Sequence, residues 1–248
     1  MLNNNALSFE NFLEKTSQAK SPDELFAFLT KALDQQGYDK VIFSVTHDGD
    51  LPEDKNQLGV FYNYPSDWQK YYEEKRYDLI DPVLKVAATY HAAFKWSDLE
   101  ERLRLTKKQH TFFREAEDAG LREGIGIPMR GSKGQLSGIA VASSEKHDQR
   151  SENLDLLTAY CNQFYLAYKR FFIPETELEE QELTILTPKQ QEILQWMVAG
   201  KSYEEVGVIL NISTHTVDTH LRHIYQKLGV YGRIPACVKA ITQGLVKY

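Results

Sequence analysis

Cysteine is almost absent: this chain of 248 residues holds two, Cys161 and Cys237, each inside an apolar helical pattern. A disulfide-stapled scaffold is excluded, and the pair reads as buried thiols of a reducing cytoplasm, with a bridge between them left open. No apolar run approaches the ~20 residues of a membrane span. The opening residues Met1 to Asn5 meet acidic Glu10 before any long apolar stretch, so they do not read as a secretory signal. Internal repeats and low-complexity tracts are also missing. What is present is an ordinary globular balance, 42% hydrophobic and 26% charged, which excludes a wholly disordered chain. The length suits one large domain or two modest ones.

Charge is unevenly spread. From Leu183 to Tyr248 there are seven Lys/Arg against four acids, net +3, which leaves −9 on the first 182 residues of a chain whose total is −6. A small basic module on an acidic body suggests a polyanion partner for the module alone. The boundary is expected at 173–182, where five glutamates follow Phe171-Phe172 and Pro174. Like charges and little apolar surface suit a solvated linker, and a continuous helix with a charged face is the alternative.

Ahead of that linker, helices and strands alternate. Ser21-Pro22-Asp23-Glu24 is a capping box with proline at the first helical position, and Leu25, Phe26, Phe28, Leu29, Ala32 and Leu33 form an apolar face that Gly37 ends. Val41, Phe43 and Val45 alternate as in a half-buried strand, and a second strand is expected within 57–64. Thr106-Lys107-Lys108-Gln109 opens a helix with Phe112, Phe113 and Ala116 inward. Strands at about Gly124–Arg130 and Gln135–Ser143 flank Gly131-Ser132-Lys133-Gly134 and should pair as a hairpin. A long helix is expected from Ser151 to about Phe172. Short strands wrapped by helices predict a mainly antiparallel sheet covered on both faces, an α/β/α sandwich.

The C-terminal part reads as all-α. Thr187-Pro188-Lys189-Gln190 caps a helix with Ile193, Leu194, Met197 and Val198 inward, and Gly200 breaks it. A second helix from Ser202 carries Val206, Ile209 and Leu210, and Asn211-Ile212-Ser213 turns into a third. There Val217, Leu221, Ile224 and Leu228 make one buried stripe, while His215, Asp218, Thr219, Arg222, His223 and Gln226 face the other way. Pro235 is expected to start a fourth helix with Val238, Ile241 and Leu245. This is a helix-turn-helix pattern whose third helix suits a major groove, although composition alone also permits a plain helical bundle.

These residues resemble a known family. Leu186-Thr187-Pro188, Gly200-Lys201-Ser202, Ile209-Leu210, Thr216-Val217, His220-Leu221, Lys227-Leu228-Gly229-Val230 and Arg233 closely resemble the LuxR-type DNA-binding domain over nearly all of 183–248. The resemblance implies promoter recognition through the helix from Ser213, with base contacts at the positions of Asp218, Thr219 and Arg222. Thr214, His215, Thr216 and His223 stand beside them on the same helix, and Lys201, Lys227 and Arg233 are candidates for phosphate contacts. Many members carry a basic residue where Asp218 stands. Here that position either accepts from cytosine N4 or lacks the contact. Gln190 replaces the usual early glutamate and can still close the capping box.

A second constellation lies at 64–96. Tyr64, Trp68 and Tyr72 share a helical face by i, i+4, i+8 spacing, and an aromatic core stripe is the plain reading. Asp81 before Pro82 departs from such a stripe, though it also suits a helix cap. Tyr64, Trp68, Tyr72, Asp81-Pro82 and Trp96, with the glycine-containing hairpin from Gly124, resemble the autoinducer-binding signature of LuxR-type quorum-sensing regulators. The resemblance implies an N-acyl-homoserine lactone as ligand. Trp68 then gives its indole N–H to the lactone carbonyl, Asp81 accepts the ligand amide N–H, and Tyr64 donates to the acyl carbonyl, while Trp96 and Tyr72 pack round the ring. Two departures matter: Ala140 stands where many relatives have Ser or Thr, and Val83 where some have Thr. A tail without a 3-oxo group, or an aryl tail, fits the fewer polar contacts.

The expectation is therefore an α+β sensor domain at 1–172, a linker at 173–182 and a four-helix DNA-binding domain at 183–248. The whole is a cytoplasmic homodimeric regulator of double-stranded promoter DNA, without catalytic activity, cofactor, metal or membrane partner. Two alternatives stay open: an orphan regulator that answers another small molecule or none, and a lactone or acyl hydrolase. The hydrolase lacks support, since no Gly-x-Ser-x-Gly elbow or clustered histidine motif occurs.

Overall fold

The computed structural model describes residues 8–131, 134–145, 153–173 and 185–246. The expected linker lies, beyond Ile173, outside the described residues, as do Ser132-Lys133 of the hairpin turn and Ser151 at the expected helix start. The chain divides into two compact units between Glu175 and Thr176.

The first unit is an α/β/α sandwich. Strands β1 (Lys40–His47), β2 (Phe61–Tyr62), β3 (Phe94–Lys95), β4 (Arg122–Arg130) and β5 (Leu136–Ser143) form a sheet in the order β2-β1-β5-β4-β3. Every neighbouring pair is antiparallel, the expected β4–β5 hairpin included. Helices α1 (Phe9–Gln18), α2 (Pro22–Gln35) and α7 (Leu154–Lys169) cover one face. Helices α3 (Ser66–Glu74), α4 (Pro82–Ala87), α5 (Trp96–Arg102) and α6 (Lys107–Asp118) cover the other. Ser21 caps α2 as its sequence predicts, accepting from the Glu24 N–H, while the Glu24 carboxylate reaches back to the Lys20 N–H instead of to Ser21. The strand expected across 57–64 shrinks to Phe61–Tyr62, and α7 stops at Lys169, leaving Phe171 beyond its end.

The two sheet faces differ in side-chain size. Toward α1, α2 and α7 point Val41, Phe43, Val45, Ile125, Ile127, Met129, Ile139 and Val141, all buried in one large core with Phe164 and Tyr168. Toward α3–α6 the same strands present Gly124, Gly126, Gly138, Ala140 and Ala142. A cluster at the end of β1 pins the first face: buried Asp48 accepts from the Tyr165 hydroxyl, and Lys169 lies 3.1 Å from Asp48 and 2.8 Å from Asp50.

The second unit holds α8 (Pro188–Val198), α9 (Tyr203–Leu210), α10 (Thr214–Leu228) and α11 (Arg233–Thr242). Capping boxes Thr187/Gln190 and Ser202/Glu205 start α8 and α9. Asn211 ends α9 in the left-handed region at φ 52°, and Ser213 caps α10 by accepting the Thr216 N–H at 3.0 Å. That α9–turn–α10 pair is a helix-turn-helix. The core is Ile193, Leu194, Met197, Val206, Val217, Leu221, Ile224 and Leu228 with Ala236 and Ala240. Three expectations change here. The last helix starts at Arg233, two residues before Pro235, since proline, which has no N–H, forgoes no intrahelical hydrogen bond in a first turn. Its small residues face inward, leaving Val238 and Ile241 exposed, and Ile209 of α9 is exposed too.

Gly124 gives a direct test of the small sheet face. A Cβ there would lie 2.0 Å from the Trp96 ring, and one at Gly126 2.4 Å from Phe94. Gly124→Ala should cost roughly 1–3 kcal/mol by overpacking and shift the tryptophan emission. An unchanged melting temperature and spectrum would mean that the ring does not rest on this strand.

Candidate functional site

The small face of the sheet and α3–α6 enclose a cavity of about 390 Å³. Tyr64, Trp68, Tyr72, Asp81, Val83, Trp96 and Ala140, the seven ligand residues expected from the sequence, all line it. They do not share one helix: α3 begins at Ser66, after Pro65, so Tyr64 reaches the cavity from the extended segment before it.

Asp81 is the polar centre of this site. It is buried, and it caps α4, with Oδ1 accepting the Val83 N–H at 2.7 Å. Its other oxygen, Oδ2, accepts from the Tyr72 hydroxyl at 2.9 Å. With the Leu84 N–H as a third partner, one of the four acceptor sites of the carboxylate stays open. The segment is held from outside by Gln109, which closes the capping box of α6 and donates to the Ile80 carbonyl at 3.0 Å. Burial raises the Asp81 carboxyl to about 6, against the opposing effect of its Tyr72 and backbone hydrogen bonds. Burial first, then the Asp81 charge, holds the Tyr64 and Tyr72 hydroxyls far above the usual phenol range, so both are donors.

The aromatic walls interlock. Trp68 packs against Tyr71, Tyr72, Tyr77 and Phe112, with ring centroids 6.0–6.3 Å apart. The Tyr64 hydroxyl donates to the Ala140 carbonyl over a long 3.4 Å. The Trp96 indole N–H is buried without a hydrogen-bond partner among the described residues. An orphan donor of this kind costs about 1–3 kcal/mol until an acceptor reaches it. Sequence reading missed Ile42, Ser44, Thr46, Leu58 and Leu136, which also line the cavity. For three of them the signal was present on β1, where Ile42, Ser44 and Thr46 alternate with the buried Val41, Phe43 and Val45.

On the second unit, α10 exposes Thr214, His215, Thr219, Arg222 and His223, with Asp218 half-buried. Thr216 is half-buried at the first turn. Arg222 and Asp218 form an i, i+4 ion pair at 2.8 Å, and Lys201 pairs with Glu205 at 3.1 Å. The other two cations turn inward. Lys227 donates to the Ile185 carbonyl at 2.8 Å and to Gln190 at 3.1 Å, and Arg233 donates to the carbonyls of Met197 and Lys201. Both therefore bind α10 and α11 to the ends of α8.

The Asp81 environment fixes a pH signature. Its native pKa of about 6 exceeds the ordinary 3.8, so near pH 5 the native state holds a proton that the unfolded chain has released. Its contribution to stability is complete below about pH 4 and is lost as pH rises through about 6. Melting curves of wild type and Asp81→Asn should diverge across that window, the variant gaining on wild type as pH rises. A gap that stays constant would contradict a buried carboxylate.

Residues 21–168 match the family model of the autoinducer binding domain, and residues 184–240 that of bacterial regulatory proteins of the luxR family. The transcriptional activator VanR of Vibrio anguillarum is 28% identical over 94% of this chain and 95% of its own. An HTH-type transcriptional regulator of Sinorhizobium fredii, y4qH, is 32% identical over 75% of this chain, which spans only 56% of that longer relative. In fold, the crystal structure of Escherichia coli SdiA superposes with a TM-score of 0.57 at 21% identity, over 96% of this chain and 98% of the other.

Proposed function

This chain belongs to the luxR family of bacterial regulatory proteins, with an autoinducer-binding domain ahead of its helix-turn-helix, and on that premise we propose that it is a quorum-sensing regulator that takes an N-acyl-homoserine lactone into the aromatic cavity and binds promoter DNA as a homodimer. The observation that carries the reading is Asp81: a buried carboxylate with a spare acceptor site, set among the aromatic walls of the cavity. A neutral ligand with an amide N–H satisfies it by a charge-assisted bond and leaves no second charge to bury.

The remaining roles follow from donor and acceptor type. Trp68 donates to the lactone carbonyl. Tyr64, whose bond to Ala140 is long and cheaply exchanged, donates to the acyl carbonyl. Tyr72 holds the Asp81 carboxylate in place, and together with Trp96 it packs the ring away from water, which strengthens each polar contact. Val83 and Ala140 give the start of the tail an apolar wall. Ligand burial stabilises the native state by mass action.

For DNA, α10 enters the major groove with Asp218, Thr219 and Arg222 at base edges. Thr214, His215, Thr216 and His223 lie along the flanking backbone, and Lys201 contributes phosphate attraction. Lys227 and Arg233 act there mainly by holding α10 against α8. For the dimer, α11 offers an exposed apolar stripe of Ile234, Val238 and Ile241, whereas the apolar face of α7 is used up in covering the sheet.

Thermal unfolding against a panel of acyl-homoserine lactones tests the receptor. A ligand at 100 times its Kd should stabilise by ~2.7 kcal/mol, and Asp81→Asn should weaken binding by about 1–3 kcal/mol. No melting shift with any member would overturn the assignment. Arg222→Ala should cost about 1–3 kcal/mol of specific DNA binding at fixed salt, and wild-type affinity in a titration would remove Arg222 from the interface.

A further inference from the structure

The cavity floor is not uniformly apolar, and its register measures where polarity begins. In the β1–β5 ladder Ile42 pairs with Ala140 and Ser44 with Gly138, so the floor is built of successive cross-strand rows. The Ile42/Ala140 row has no side-chain polar atom. One row on, Ser44 is half-buried, and its Oγ accepts the Gly59 N–H at 2.9 Å. With an acceptor site on that oxygen taken, its hydroxyl proton remains to be given. Beyond it the pairing shifts between Val45 and His47, and the intervening Thr46 is exposed. Leu58, next to the Gly59 that bonds Ser44, is 43% exposed. Trp96, over Gly124 at the other end of the sheet, is buried, and so are Trp68 and Asp81. The cavity thus runs from a sealed aromatic end to an open, hydroxyl-bearing end.

We propose that the ligand tail carries a hydrogen-bond acceptor at its far end, placed to meet the Ser44 hydroxyl and, past it, Thr46. The inference rests on the lactone reading above and specifies its acyl class. Successive same-face rows of a strand lie about 7 Å apart. An acyl carbonyl over the Ile42/Ala140 row therefore puts the polar group five or six bonds further along, at ~1.3 Å advance per carbon–carbon bond. A 3-oxo group is too close to the amide to reach it. An aryl tail ending in a phenol, or a chain hydroxylated near its end, has the right reach. A plain alkyl tail would cover Ser44 without giving its hydroxyl an acceptor, which is unfavourable in a closing pocket.

The test uses the full-length protein and a matched pair of probes, N-(p-coumaroyl)- and N-cinnamoyl-homoserine lactone, which differ by one phenolic hydroxyl. N-octanoyl- and N-(3-oxooctanoyl)-homoserine lactone serve as alkyl references. Titration calorimetry should show the p-coumaroyl compound binding about tenfold tighter than the cinnamoyl compound, the value of one ordinary hydrogen bond. Ser44→Ala should reduce that ratio toward one, and Thr46→Val, which leaves the Gly59 bond intact, should reduce it in part. Equal affinities for the pair, or a ratio that neither substitution moves, would overturn the proposal while leaving the receptor reading intact if octanoyl-homoserine lactone binds and Asp81→Asn weakens it. Binding by none of the four lactones would overturn both.

Discussion

Everything in the first unit depends on a sheet whose two faces are unequal in volume. On one face, branched and aromatic side chains fill the space to α1, α2 and α7 and form a core without need of any ligand. On the other, glycine and alanine of β4 and β5 alternate with them, so over those two strands the covering helices meet a floor with almost no side chains. Close packing has two remedies for such a deficit, large rings or a void. Both are used. Trp96 and Phe94 lie directly on Gly124 and Gly126, and the remaining space becomes the cavity. The alternation of strand side chains thus divides one piece of sequence between stability and binding.

A second economy lies in Asp81. A helix that begins at Pro82 needs an acceptor for its first free N–H groups, and Asp81 supplies it. The same cap fixes the carboxylate beside the cavity, so the local rule for starting α4 also positions a buried charged group of the site. This explains why a plain capping reading and a ligand reading of Asp81 could both be made from sequence and why neither excludes the other.

Legibility followed the range of the signals. The helix-start signals at Ser21, Thr106, Thr187 and Ser202 and the period-2 pattern of β1 are local, and the helices and strand they announce are present. The seven cavity residues were legible through family resemblance, not through periodicity, which put Tyr64 on a helix that begins two residues later. Apolar spacing also failed on α11. There Ala236 and Ala240 are the buried pair because the fourth helix packs closely, and Val238 and Ile241, the larger residues, are left outside. Size ranks a residue as core only when the partner surface has room for it. The inward turn of Lys227 and Arg233 had no sequence signal, since both bond to backbone carbonyls of distant residues.

Those two residues belong to a wider pattern. All six Lys and Arg among the described residues of the second unit are engaged within it. Lys189, Lys201 and Arg222 pair with carboxylates, and Lys227, Arg233 and Lys239 donate to backbone carbonyls. Non-specific affinity for a duplex comes from cations that displace condensed counterions, one for each phosphate neutralised. A module whose cations are already occupied displaces few of them. Its hold on random DNA should be weak and its dependence on salt shallow, so discrimination between sites falls to the base edges that α10 can reach.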